Sequence, residues 1–208
     1  MFARILLSLG LVAGLSSTAV AGVEVGAGLG INTCVPDEAA NCERMWPMVD
    51  VSAALEYRWE VVGLGVEYDY GWLTPTGEGS DEVLVSTMHL MPVLRVYTSL
   101  EGCAGWPAGS EAFAGFGFGW SEQRQVEVDS DDEISSFSSF VQGVKFSLGA
   151  VWPIGDSGLA FATRADLFVN TYGESCVGLA GARDCQEVDG TQDVAETLHA
   201  VGELRYRF

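Results

Sequence analysis

VDVSAALEYRW, Val49–Trp59, and VGLGVEYDYGW, Val62–Trp72, stand two residues apart and share one pattern. In the first, Val49, Val51, Ala53, Leu55, Tyr57 and Trp59 alternate with Asp50, Ser52, Ala54, Glu56 and Arg58. In the second, Val62, Leu64, Val66, Tyr68, Tyr70 and Trp72 alternate with Gly63, Gly65, Glu67, Asp69 and Gly71. A hydrophobic period of two places apolar side chains on one face of a strand and polar ones on the other, whereas a helix needs a period near 3.6.

The same alternation runs through the chain from Val23. It recurs in the stretches starting at Leu84, Ala112, Phe140, Leu159 and Leu198, and no helical segment competes. Eight such segments predict an all-β fold, an eight-stranded antiparallel up-and-down barrel. Alternation alone leaves the inside undecided. A soluble periplasmic barrel turns its apolar face to the core, and a transmembrane barrel turns it to lipid.

Three features favour the transmembrane β-barrel. Connections alternate between long (33–46, 73–82, 121–138, 173–193) and shorter (59–61, 98–110, 153–158), as in outer-membrane barrels with long outer loops and short inner turns. The 98–110 connection is longer than this pattern expects. Aromatic residues gather at the two strand ends: Trp72, Trp120 and Phe140 towards the long loops, and Tyr57, Trp59, Trp152 and Phe208 towards the turns, as two membrane interfaces require. Finally, six of the nine basic residues of the mature chain lie on the strands, and only Arg44, Arg124 and Arg183 fall in loops. The polar strand face carries Glu56, Arg58, Glu67, Asp69, Arg95, Lys145, Arg164, Asp166, Glu203 and Arg205, a mixed-sign set able to pair with itself in a lumen only wide enough for side chains.

Residues 1–21 read as a secretory signal: Arg4, the apolar run Ile5–Val12, and a small-x-small ending at Ala21. The expected mature domain is then 22–208, and no later stretch is apolar enough for a spanning helix. At the other end, Gly202-Glu203-Leu204-Arg205-Tyr206-Arg207-Phe208 resembles the signal read by the barrel-assembly machinery of Gram-negative bacteria. Tyr206 and Phe208 match its hydrophobic positions, and Gly202 stands one residue early. With the strand count, the chain resembles small outer-membrane β-barrels of the OmpA-transmembrane-domain, OmpX or OmpW kind. That resemblance implies outer-membrane lipid and the assembly machinery as partners. It also leaves a narrow channel or a carrier of small, hydrophobic molecules as the alternative to a plugged barrel with a structural or surface-interaction role.

The chain holds 10 Lys plus Arg against 29 Asp plus Glu, a formal charge of −19, beside a positive mean hydropathy. Nucleic acid is excluded as a partner, since it needs a basic face. The four long loops hold 17 acids against three bases, densest at Asp129-Ser130-Asp131-Asp132-Glu133. Such a run reads as a solvated loop rather than a metal site, and neither metal nor cofactor is expected. Five cysteines suit an oxidising compartment. Cys34 and Cys42 share the first long loop, Cys176 and Cys185 the fourth. Local pairs are the simplest framework, and pairing across these neighbouring loops is the alternative. Cys103 lies at the opposite end, beyond reach of the other four. His89 and His199 sit on lumen-facing positions, and no GxSxG, HExxH or P-loop pattern occurs, so no catalytic residues are assigned and an enzyme is not expected.

Overall fold

In the computed structural model the described residues are 21–35, 47–73, 82–128, 134–179, 182–189 and 196–208. They form nine strands: β1 (Gly22–Cys34), β2 (Met48–Trp59), β3 (Val62–Leu73), β4 (Glu82–Ser99), β5 (Glu111–Val128), β6 (Ile134–Pro153), β7 (Leu159–Leu179), β8 (Ala182–Asp189) and β9 (Thr197–Arg207). Strands β1 to β7 pair each with the next, all antiparallel. The lower part of β7 pairs with β9, from Leu159↔Tyr206 to Phe168↔Thr197. Strand β9 returns to β1, from Glu24↔Arg207 to Cys34↔Thr197. Eight strands thus close an up-and-down barrel with no free edge in its wall, as lipid demands of any sheet that crosses it.

The sorting of side chains is inverted relative to a soluble protein. Leu29 (68 % exposed), Leu55, Trp59, Leu64, Phe116, Phe146, Leu148 and Leu204 face outward, while Arg95 (1 %), Lys145 (0 %) and Glu67 (0 %) are buried inside. The small apolar clusters inside are Tyr97 with Phe113, Val151 and Ala162, and Met91 with Val93 and Phe168.

The ninth strand departs from the eight expected. Strand β8 is not part of the barrel wall; it forms a hairpin with the upper part of β7, Tyr172↔Asp189 to Leu179↔Ala182. The upper strands also run further than the hydropathy pattern implies. Eight residues of β5 follow Trp120, and six of β6 precede Phe140, so these two aromatics lie within strands rather than at their ends. Much of the expected 121–138 and 173–193 loops is therefore strand, and Glu122, Glu127, Glu174, Asp184, Glu187 and Asp189 are strand-borne, as are Arg124 and Arg183. Above the apolar belt both sheet faces are polar, so pairing continues without the hydropathy contrast that reveals it.

Cys176 and Cys185 stand opposite each other in the β7–β8 register and are joined by a disulfide, which selects the local pairing for this loop. Cys103 is free and exposed. Residues 1–20 of the segment read as a signal, Cys42, the Cys34 side chain and the acidic run Asp129–Glu133 lie outside the described residues.

At the turn end, β2 and β3 are joined through Glu60 and Val61, with Glu60 at φ 50°. The 154–158 turn closes with Ile154 N–H donating to the Leu159 carbonyl at 2.8 Å, and Gly155 and Gly158 supply its left-handed positions. The 100–110 turn is held by its own backbone: Leu100 N–H donates to the Ser110 carbonyl, Cys103 to Leu100, Trp106 to Cys103 and Ser110 to Pro107.

Candidate functional site

The inward positions of eight strands converge on a lumen about as wide as two side chains, and titratable groups occupy most of it. Glu56 (β2), Glu67 and Asp69 (β3), Arg95 (β4), Lys145 (β6), Arg164 and Asp166 (β7) and Glu203 and Arg205 (β9) are all buried, as is Arg58 at the end of β2. They form three connected tiers.

The middle tier surrounds Lys145. Its Nζ lies 3.1 Å from Asp69 and 3.0 Å from Asp166, and it also bonds Glu67. Arg164 reaches Asp166 at 2.6 Å from its own strand, pairs with Asp69 across the lumen and with Glu203 beside it, and passes Glu67 at 3.4 Å. Below, Arg95 bonds Glu56 at 2.6 Å and pairs with Glu67. Tyr97 Oη donates to Glu56 at 2.7 Å and accepts from Arg205 at 3.2 Å, while Arg205 holds Glu203 at 2.8 Å. At the turn mouth, Arg58 bonds Glu111 at 2.6 Å and stacks over the Tyr97 ring, and Arg207 pairs with Glu24. The pairs around Lys145, Arg164 and Arg95 are charge-assisted bonds shielded from water, whereas the Arg207 side chain at the turn mouth is 42 % exposed. Removing a single partner would leave a buried charge uncompensated.

Glycine makes room for these chains. A Cβ on Gly63 would collide with Glu56 Oε1, and one on Gly149 with both the Phe113 ring and the Thr163 carbonyl. Acids prevail at the inward positions of β1–β4, where Glu24, Asp50, Glu56, Glu67 and Asp69 outnumber Arg58 and Arg95. Lys145, Arg164 and Arg205 come from the later strands.

The upper tier is different in kind. His199 Nδ1 meets Asp50 Oδ2 at 2.5 Å, and its ring lies edge-on to His89, centroids 5.1 Å apart. His89 stacks on Phe168 at 3.9 Å, and Asn32 donates to Thr87 at 3.0 Å. Both His89 ring nitrogens and the Ser121 hydroxyl opposite it have no hydrogen-bond partner among the described residues.

The site therefore extends beyond the ten residues singled out in the sequence. Glu24 and Glu111 join the ion pairs, Asp50 meets His199, and Tyr97, Phe113 and Phe168 supply ring faces for Arg58, Arg95, Arg205 and Lys145. Strand parity marks all of them as inward, but parity does not say which partner each will meet. The Glu67, Asp69 and Asp166 carboxylates lie within 4.8 Å of one another, a spacing that suits a cation. Lys145 Nζ and the Arg164 guanidinium already fill that position, so these residues do not fit a metal.

No protein-family model matches the chain, and no curated protein matches it in sequence. Among solved structures, a major outer membrane protein from Thermus thermophilus superposes with a TM-score of 0.62 at 13 % identity, over 91 % of this chain and 100 % of that one. Neisserial surface protein A gives 0.53 at 9 % identity, over 93 % and 100 %. Ail, the attachment invasion locus protein of Yersinia pestis, gives 0.55 at 8 %, over 91 % and 100 %. At such identities the likeness is one of architecture: by fold, this chain is a small eight-stranded barrel of the kind these outer-membrane proteins share.

Proposed function

We propose that the chain is a bacterial outer-membrane protein, exported by its amino-terminal signal and inserted by the barrel-assembly machinery through Tyr206 and Phe208. In this reading its lumen is plugged by its own side chains, and its acidic loop end serves a structural or surface-interaction role. One observation carries the reading. The barrel exposes a continuous apolar belt and buries Glu67, Asp69, Lys145 and Arg164 almost completely, a distribution stable in hydrocarbon and unfavourable in water. The fold shared with outer-membrane barrels supports the same compartment.

Two measurements test this. Membrane fractionation with heat-modifiable gel mobility should place the chain in the outer membrane as a folded barrel; a soluble, heat-insensitive band would sink the reading. In planar bilayers the purified barrel should give no steady conductance steps, because Arg164 and Lys145 bridge the lumen at its middle. Steady steps would favour the second reading, a narrow channel or carrier. That reading draws on a cavity of about 370 Å³ at the turn mouth, lined by Glu24, Glu111, Arg205 and Arg207 among others.

A further inference from the structure

The connection between β4 and β5 is too long for its end of the barrel, and its composition is unusual for a turn in water. Its eleven residues, Leu100-Glu101-Gly102-Cys103-Ala104-Gly105-Trp106-Pro107-Ala108-Gly109-Ser110, hold one charge. It is nevertheless built rather than slack. Four backbone bonds hold it, and Gly102, Gly105 and Gly109 at φ 85°, 89° and 79° take conformations that other residues resist. The outcome is that Trp106 lies flat against Trp152, centroids 5.5 Å apart and planes within 2°. Trp152 in turn stacks on Phe161 at 5.8 Å. Phe161 is an outward residue of the barrel wall, paired in register with Leu204. The turn thus extends the exposed apolar belt by one ring beyond the end of the strands, and Trp106 remains 38 % exposed at its tip.

We propose that the 100–110 turn is a membrane foot: Trp106 seats in the headgroup–acyl boundary of a phospholipid leaflet and sets the depth of the barrel at its turn end. The proposal rests on the membrane reading above. Two observations argue for it. The Trp106–Trp152–Phe161 ladder is continuous with the outward apolar face, and tryptophan favours this zone because its ring is apolar and its indole N–H polar. The exposed acids in the three turns at this end, Glu60, Glu101 and Asp156, point to zwitterionic rather than anionic headgroups.

The test uses the full barrel refolded into phosphatidylcholine vesicles, wild type and Trp106→Phe, with bromine placed either shallow or deep in the acyl chains. The same pair is made in a Trp152→Phe background, so that the difference in emission reports Trp106 without the stacked Trp152 beside it. Shallow bromines should quench that difference by roughly twofold or more, deep bromines less and aqueous iodide little, as an interfacial ring requires. Adding an anionic phospholipid should not deepen the quenching. A Trp106 signal quenched by iodide and by neither bromolipid overturns the foot while leaving the barrel in the membrane. If the total emission ignores all bromolipids and no heat-modifiable band forms, the membrane reading itself fails, and the foot with it.

Discussion

Lys145 Nζ lies 3.0 Å from Asp166 Oδ2, and neither side chain touches solvent. The ammonium bridges three carboxylates from two opposite walls, sharing them with Arg95 and Arg164, so its loss is not a local matter. Lys145→Met keeps most of the stem and leaves Glu67, Asp69 and Asp166 to Arg95 and Arg164 alone. We expect a loss of about 3–5 kcal/mol, the usual cost of removing one partner from a buried ion pair, read from urea unfolding of the barrel in vesicles. Adding Asp69→Asn should recover part of it, since the two changes touch one network. A Lys145→Met barrel as stable as the wild type would show that the charges are not coupled.

At Gly149 the packing leaves no room for a side chain. Gly149→Ala drives a methyl into both the Phe113 ring and the Thr163 carbonyl. Overpacking of this kind costs about 1–3 kcal/mol, again read from unfolding. Phe113→Leu in the same chain should return only a fraction, because the carbonyl cannot withdraw.

The Cys176–Cys185 disulfide braces a hairpin that stands outside the barrel wall. Closing so short a loop is worth about 2.5 kcal/mol on the chain-entropy scale, and that stabilisation is local. Cys176→Ser should therefore leave heat-modifiable mobility unchanged while making β8 susceptible to protease. Equal resistance of both forms, probed under non-reducing conditions, would mean that strand pairing alone holds the hairpin.

Strand β9 supplies both edges of the closing seam. A chain truncated before Val194 exposes unpaired backbone on β1 and β7, which hydrocarbon does not tolerate. It should fail to reach the membrane in heat-modifiable form, and recovery of a folded band would contradict the closed barrel.

Much of this was legible in the sequence for a simple reason. Between Val49 and Trp72 nearly every residue has an assigned face, and the structure puts Glu56, Glu67 and Asp69 inside and Leu55, Leu64 and Tyr68 outside. A period of two leaves no freedom once the strands are identified. The extensions 121–128, 134–138 and 173–179, and strand β8, were not legible, because there the alternation of apolar and polar residues fades. Nor was the choice of partners. Arg164 meets Asp69, 95 residues away, only because shear and tilt bring β3 and β7 to one level, and no local pattern encodes that. Register with the next strand likewise says nothing about the His89–Phe168–His199 stack, which draws its rings from β4, β7 and β9.

The uneven division of interior charge bears on how the barrel closes. The first four strands carry most of the inward acids, and Lys145, Arg164 and Arg205 arrive later in the chain. On β1–β4 alone, five inward acids face two inward cations, so a sheet closed on that half would lack the pairings that Lys145 and Arg164 provide. The second half supplies the missing cations. Glu67 and Asp69 of the amino-terminal half thus find their counter-charges, Lys145 and Arg164, only past the midpoint of the chain, and closure of the wall is also closure of the charge balance.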